Sequence, residues 1–134
     1  MSANEKYYAS TSGERRRFTL ETAQLLLPPA GTHPRSASIY GHGSMLLKLF
    51  APRGHDPQPT HTRDELYFVA RGAGWFVNGA DRHSFQAGDV LFVPAGVVHR
   101  FEEFSEDLSV WVVFYGPEGG EIASGPGERL EARG

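Results

Sequence analysis

Apolar residues in this chain come in short runs broken by glycine and proline, and two of the runs adjoin potential metal ligands. The first stretch reads Thr60-His61-Thr62-Arg63-Asp64-Glu65, then Leu66-Tyr67-Phe68-Val69, then glycines at 72 and 74. The second reads Gly88-Asp89-Val90-Leu91-Phe92-Val93-Pro94-Ala95-Gly96-Val97-Val98-His99. Around them the same pattern repeats. Ser36 to Tyr40 and Ser44 to Phe50 read as strands, the second almost wholly apolar and so buried. Glu65 to Ala70 reads as a strand turned by Gly72-Ala73-Gly74. Trp75 to Val77 and Arg82 to Phe85 flank Asn78-Gly79, the strongest hairpin signal in the chain. Val90 to Val93, Val98 to Glu102 and Leu108 to Tyr115 complete the set. Eight short strands with turns about every ten residues point to an all-β sandwich or barrel, not to βαβ units.

One helix is predicted. Thr19 suits its N-cap, Leu20 to Leu26 its body and Glu21 its first turn, and Pro28-Pro29 stops it. Residues 1–17 read as a flexible arm, 18–116 as a single domain and 117–134 as a flexible, Gly- and Glu-rich tail.

Composition narrows the chemistry. There is no cysteine, which removes disulfides, thiolate metal sites and thiol nucleophiles. Met1 to Ser12 is polar and carries no apolar signal region, and no run is long enough to span a bilayer. We therefore expect a cytoplasmic chain without membrane contact. A net charge of -3 offers no general attraction to nucleic acid, and Arg15-Arg16-Arg17 reads as a solvated charged face.

The candidate chemistry lies with His61, Glu65 and His99. On one straight strand His61 and Glu65 would stand about 13 Å apart, too far to share an ion. A tight turn at Thr62-Arg63-Asp64 would bring them within about 5 Å. Barrel closure would then bring in His99. Two imidazoles and a carboxylate with open positions suit Fe(II), and such ligands also take Mn, Ni or Zn. By strand parity Tyr67 shares a face with Glu65, and Phe101 and Glu103 share one with His99, so these three are candidate pocket residues. His33, His42, His55 and His83 read as ordinary satisfied or exposed side chains. Large side chains on both faces of the Glu65 strand call for cover by the helix or by a second subunit, and we expect a homodimer.

These residues resemble the two motifs of the cupin superfamily. Gly88, Pro94, Gly96 and His99 fit its second motif at every spacing. His61, Glu65 and Gly72 fit the second histidine, the glutamate and the glycine of the first. The resemblance covers roughly residues 44 to 115. It implies a double-stranded β-helix (jelly roll), a pocket in the barrel and frequent homodimers. Two positions depart: Pro59 stands where the family's first histidine would, and Glu103 where asparagine is frequent. Three outcomes stay open: a three-ligand centre, recruitment of Gln58 or His55, or loss of the metal. The functions implied are a metal-dependent cupin enzyme acting on a small molecule, foremost a dioxygenase, or a non-catalytic small-molecule binder such as a sensor or accessory protein. A metal-free sugar-epimerase type lacks the paired His-Asp arrangement it would need.

Overall fold

The computed structural model describes residues 16–122. The arm up to residue 15 and the tail from residue 123 lie outside the described residues.

Alternating burial along each strand builds two antiparallel sheets. The strands are β1 (Ser36–His42), β2 (Met45–Phe50), β3 (Asp64–Arg71), β4 (Ala73–Asn78), β5 (Asp81–Gln86), β6 (Val90–Val93), β7 (His99–Glu102) and β8 (Ser109–Tyr115). The larger sheet has the order β1-β2-β8-β3-β6 and the smaller β5-β4-β7. On β3, Glu65, Tyr67 and Val69 point inward while Leu66 and Phe68 point out. The inward residues of both sheets meet in one core, with Tyr67, Val110 and Val112 from the larger sheet against Phe76, Phe85 and Phe101 from the smaller. This is the fold class that the alternation and turn spacing imply, with one short helix.

That helix, α1 (Leu20–Gln24), is shorter than its apolar pattern suggested. Thr19 caps it, its side chain accepting from the Thr22 N–H, but the ordered turn closes at Leu25. Ala23, Phe18, Leu20 and Leu26 pack on Ala37, Ile39 and Leu49 and on Trp111. The helix thus covers the β1–β2 end of the larger sheet's outer face. At the other end Phe68, Val90 and Phe92 remain 40%, 55% and 46% exposed. Phe68 pairs with Val90 and Leu66 with Phe92, so these side chains form one continuous apolar patch.

Many strand ends shifted by one residue, and two shifted by two. Gly41 and His42 continue β1, and β4 begins at Ala73, leaving Gly72 alone as the β3–β4 link. Gly72 has φ +96, and a Cβ there would stand 2.8 Å from the Leu108 Cα. The tail also begins in contact with the domain: the Gly119 N–H donates to the Thr62 carbonyl at 2.6 Å and the Glu121 N–H to Asp64 Oδ2 at 2.8 Å. Among the described residues no helix is long and apolar enough to cross a membrane.

Gly72→Ala meets both a forbidden dihedral and a backbone clash, so it should cost more than about 1 kcal/mol. Urea unfolding reads this directly; an unchanged midpoint would contradict the tight link.

Candidate metal centre

The three candidate ligands come from three places that backbone hydrogen bonds tie together. Glu65 is the second residue of β3 and His99 the first of β7, so they face each other from opposite sheets. His61 precedes β3 in an irregular segment. Its carbonyl accepts the Gly96 N–H at 2.7 Å. Asp64, itself buried, accepts the Ala95 N–H through Oδ1 at 2.9 Å. The Pro94-Ala95-Gly96 turn that launches β7 is therefore pinned to the segment carrying His61 and Glu65.

The donor atoms converge. His99 Nε2 lies 3.0 Å from Glu65 Oε1, His61 Nε2 lies 3.9 Å from the same oxygen, and one atom from each residue falls within 4.8 Å of the others. Ligands bound to an ion at about 2.1 Å and at right angles stand about 3 Å apart, so this cluster has the scale of a coordination sphere. Glu65 is 1% exposed, yet neither of its oxygens has a hydrogen-bond partner; nor does His99 Nε2, whose approach to Glu65 lacks hydrogen-bond direction. Stranding a buried carboxylate costs several kcal/mol. A cation between the three groups would satisfy every orphaned atom, so the residues present fit a metal ion.

The groups behind the ligands set their orientation. His99 Nδ1 donates to the Val97 carbonyl at 2.8 Å, which leaves Nε2 free of its proton and turned toward Glu65. Gln58 is fixed by Asp56: its Nε2 donates to Asp56 Oδ2 at 2.6 Å, and that same oxygen accepts the Phe101 N–H at 2.9 Å. Gln58 Oε1 consequently faces the centre, 3.3 Å from His61 Nε2, and accepts from the Tyr67 hydroxyl at 3.2 Å. An oxygen there either takes the His61 proton or, with a cation present, stands among the ligands.

Burial lowers the His61 imidazole below its ordinary value despite the nearby Glu65. Burial also pulls His99 down, but Glu65, the Val97 carbonyl and Asp56 outweigh it and raise the group. Burial, with Glu65 and Asp56, pushes the Tyr67 phenol well above its usual range, so it serves as a donor and not as a base.

The centre opens into a cavity of about 160 Å³. Phe50, Pro59, Val112 and Phe114 are among its walls; Lys48, Gln58 and Tyr67 bring polar ends into it. Its size is below the roughly 300–1,000 Å³ of pockets for drug-sized ligands.

Residues 46–115, a little over half the chain, match the family model for the cupin domain. The chain belongs to the cupin family. It is 46% identical over 63 residues to an uncharacterized protein of Streptomyces coelicolor, covering 47% of this chain and 60% of that one. It is 32% identical over 77 residues to an acireductone dioxygenase of Acidiphilium cryptum, covering 54% and 43%. This cupin thus spans less than two thirds of either relative. A Klebsiella pneumoniae protein with a double-stranded β-helix domain superposes with a TM-score of 0.62 at 16% identity, over 82% of this chain and 96% of that one, and shows the same fold.

Not every predicted site residue reaches the cavity. Tyr67 lines it, as does Gln58. Phe101 faces inward as its parity implied, but it lies deeper, 5.1 Å ring to ring beneath Tyr67, and borders a different depression. Glu103 is a correction. β7 ends at Glu102, and Glu103 turns out with φ 46 to pair with Arg82 at 2.6 Å. Strand parity does not extend past a left-handed residue. His55 is a second correction: it lies exposed in its loop, 4.5 Å ring to ring from His33, and borders the other depression. Sequence reasoning passed over Asp56, Asp64 and Lys48. The signal for Lys48 was a lone cation in the apolar run Met45 to Phe50.

Glu65 favours the protonated form of His99, so as pH falls an incoming metal must displace that proton. The raised His99 value means this protonated pair adds stability at acid pH, fully present below the ordinary histidine value and lost as pH rises through the folded one. Metal affinity should accordingly weaken as pH falls through that value, with proton release on binding. Competition against a chelator across the range, and calorimetry in buffers of differing ionisation enthalpy, check this; an affinity independent of pH contradicts it.

Proposed function

We propose that this cupin is a metal-dependent enzyme of the dioxygenase kind, holding one divalent transition metal on His61, Glu65 and His99 and taking a small molecule into the adjoining cavity. The observation that carries the reading is the buried Glu65 carboxylate, without a hydrogen bond and converging with two imidazoles. The partial likeness to acireductone dioxygenases supports the oxygenase class. Fe, Mn, Ni and Zn all accept such ligands, but an oxygenase requires a redox metal, foremost Fe(II), which when bound supplies a Lewis acid with open positions for dioxygen and substrate. The chain's own contribution is to orient. Tyr67 and Gln58 fix one side, and apolar side chains form most of the remaining wall.

A second reading, a cytoplasmic sensor or carrier that binds without turnover, is favoured by Pro59, which lines the cavity where a further imidazole would complete the donor set.

Protein purified without added metal, then reconstituted with Fe(II), should carry about one ion per chain, falling to background in His61→Ala and His99→Ala. Failure to bind any metal after reconstitution removes the enzyme reading. Metal with no dioxygen uptake across small candidate substrates leaves the binder. Glu65→Gln sharpens the test. On the alkaline side of the His99 titration it should melt no lower than metal-free wild type, since a stranded charge has gone, and it should lose the rise in Tm that metal gives the wild type.

The homodimer expected from the sequence enters this reading with the Phe68, Val90 and Phe92 patch as its interface. Light scattering should give twice the 14.8 kDa chain mass, and Phe68→Asp should return the monomer without loss of fold. A wild-type monomer at high concentration sinks it.

A further inference from the structure

Lys48 is out of place for a residue of its type. It sits at the centre of β2, opposite Ser38 on one side and Val112 on the other. Val112 is buried in the core, so Lys48 occupies an inward-facing position of the larger sheet. Lysine is seldom placed there unless it is paired. Among the described residues its ammonium has no salt bridge within 4.0 Å and no side-chain hydrogen bond. Its side chain instead lines the cavity that His61 and Glu65 also line.

The charges of that cavity are few. Among the described residues Lys48 is the one lysine or arginine that lines it and Glu65 the one carboxylate. Most of the remaining lining is apolar and does little to screen either charge. Resting on the metal reading above, a divalent ion held by Glu65 leaves one positive charge in excess, and Lys48 adds a second. A neutral occupant would leave both uncompensated. A carboxylate anion would offset one of them and be attracted by both.

We propose that Lys48 makes this cavity a receptor for small carboxylates, the ammonium taking the carboxylate while the remainder of the molecule reaches toward the His61, Glu65 and His99 cluster. The small volume limits the occupant to a few heavy atoms beyond the carboxylate. The apolar walls from Phe50, Pro59 and Phe114 favour an aliphatic remainder over a polyhydroxylated one. Lys48 then decides substrate class, while the ligands decide reaction type.

The test uses the full chain, with pyruvate as the probe and methyl pyruvate as its uncharged counterpart. Calorimetric titration of metal-loaded wild type should show pyruvate preferred over the ester. Lys48→Met keeps the length of the stem and removes the charge; it should weaken pyruvate about tenfold or more while leaving the ester unchanged. Lys48→Arg should restore most of the preference. Metal content, measured on each variant, should stay at the wild-type level. Equal binding of acid and ester by wild type, no binding of pyruvate, or an unaltered pyruvate affinity in Lys48→Met overturns the proposal. So does loss of metal in Lys48→Met with no change in acid over ester, which would make Lys48 a counter-ion of Glu65 only. The same titrations on protein without metal separate this inference from the metal reading. A Lys48-dependent preference for pyruvate there supports the carboxylate site even where metal binding fails, and no such preference in either form overturns it.

Discussion

A carboxylate buried without a hydrogen-bond partner is the constraint on which the rest of this molecule turns. Glu65 lies in the seam between two sheets, 1% exposed. The cost of stranding it, several kcal/mol, is a large part of what a domain of this size retains as net stability. Such an arrangement holds only where the surrounding structure over-determines it. Here the surroundings are ample: Glu65 pairs in register with Val93 on one side and Phe114 on the other, so its backbone belongs to the centre of the larger sheet. The sheet supplies the rigidity, and the side chain supplies the unmet charge.

The second requirement is that the histidines arrive at that charge from separate parts of the chain. Strand pairing does not do this, because His99 belongs to the smaller sheet and His61 to neither. Hydrogen bonds from loops do. Asp64 uses both carboxylate oxygens as backbone acceptors, one for Ala95 and one for Glu121. It thereby fastens the turn before β7 and the chain after β8 to the start of β3. Asp56 does the same for the proline-rich loop, joining Phe101 to Gln58. Among the described residues the buried acids are these two aspartates and Glu65, and their bonding differs. The aspartates accept backbone or amide N–H groups at 2.6 to 2.9 Å, and Glu65 accepts none.

This division explains what the sequence could and could not disclose. Strands are local: period-two alternation and the glycines between them are visible in any short window, which is why the eight strands and the Asn78-Gly79 hairpin were legible. The grouping of His61, Glu65 and His99 was legible through spacing to turn residues, since turns fix where a strand begins. Long-range loop contacts carry no such period. The roles of Asp56 and Asp64 went unread because their partners lie 45 and 31 residues away. Glu103 was misplaced because alternation was carried one residue beyond the strand's end, past a left-handed backbone. The helix was overextended because Leu25 and Leu26 continue an apolar pattern where the backbone bonds have tightened to i–3 turns.

The departure at Pro59 then takes on a physical sense. A third imidazole there would have given a nitrogen-rich centre, the kind that copper and zinc bind strongly. Proline removes it and contributes apolar wall instead, while Asp56 turns the Gln58 amide oxygen toward His61. Under the proposed reading the donors become two imidazole nitrogens with carboxylate and amide oxygens around them. Harder oxygen donors move preference toward Fe(II) and Mn(II), and a sphere with one fewer fixed imidazole keeps more of its positions open to an incoming molecule. On this view coordination not taken up by the protein is left available to whatever Lys48 holds in place.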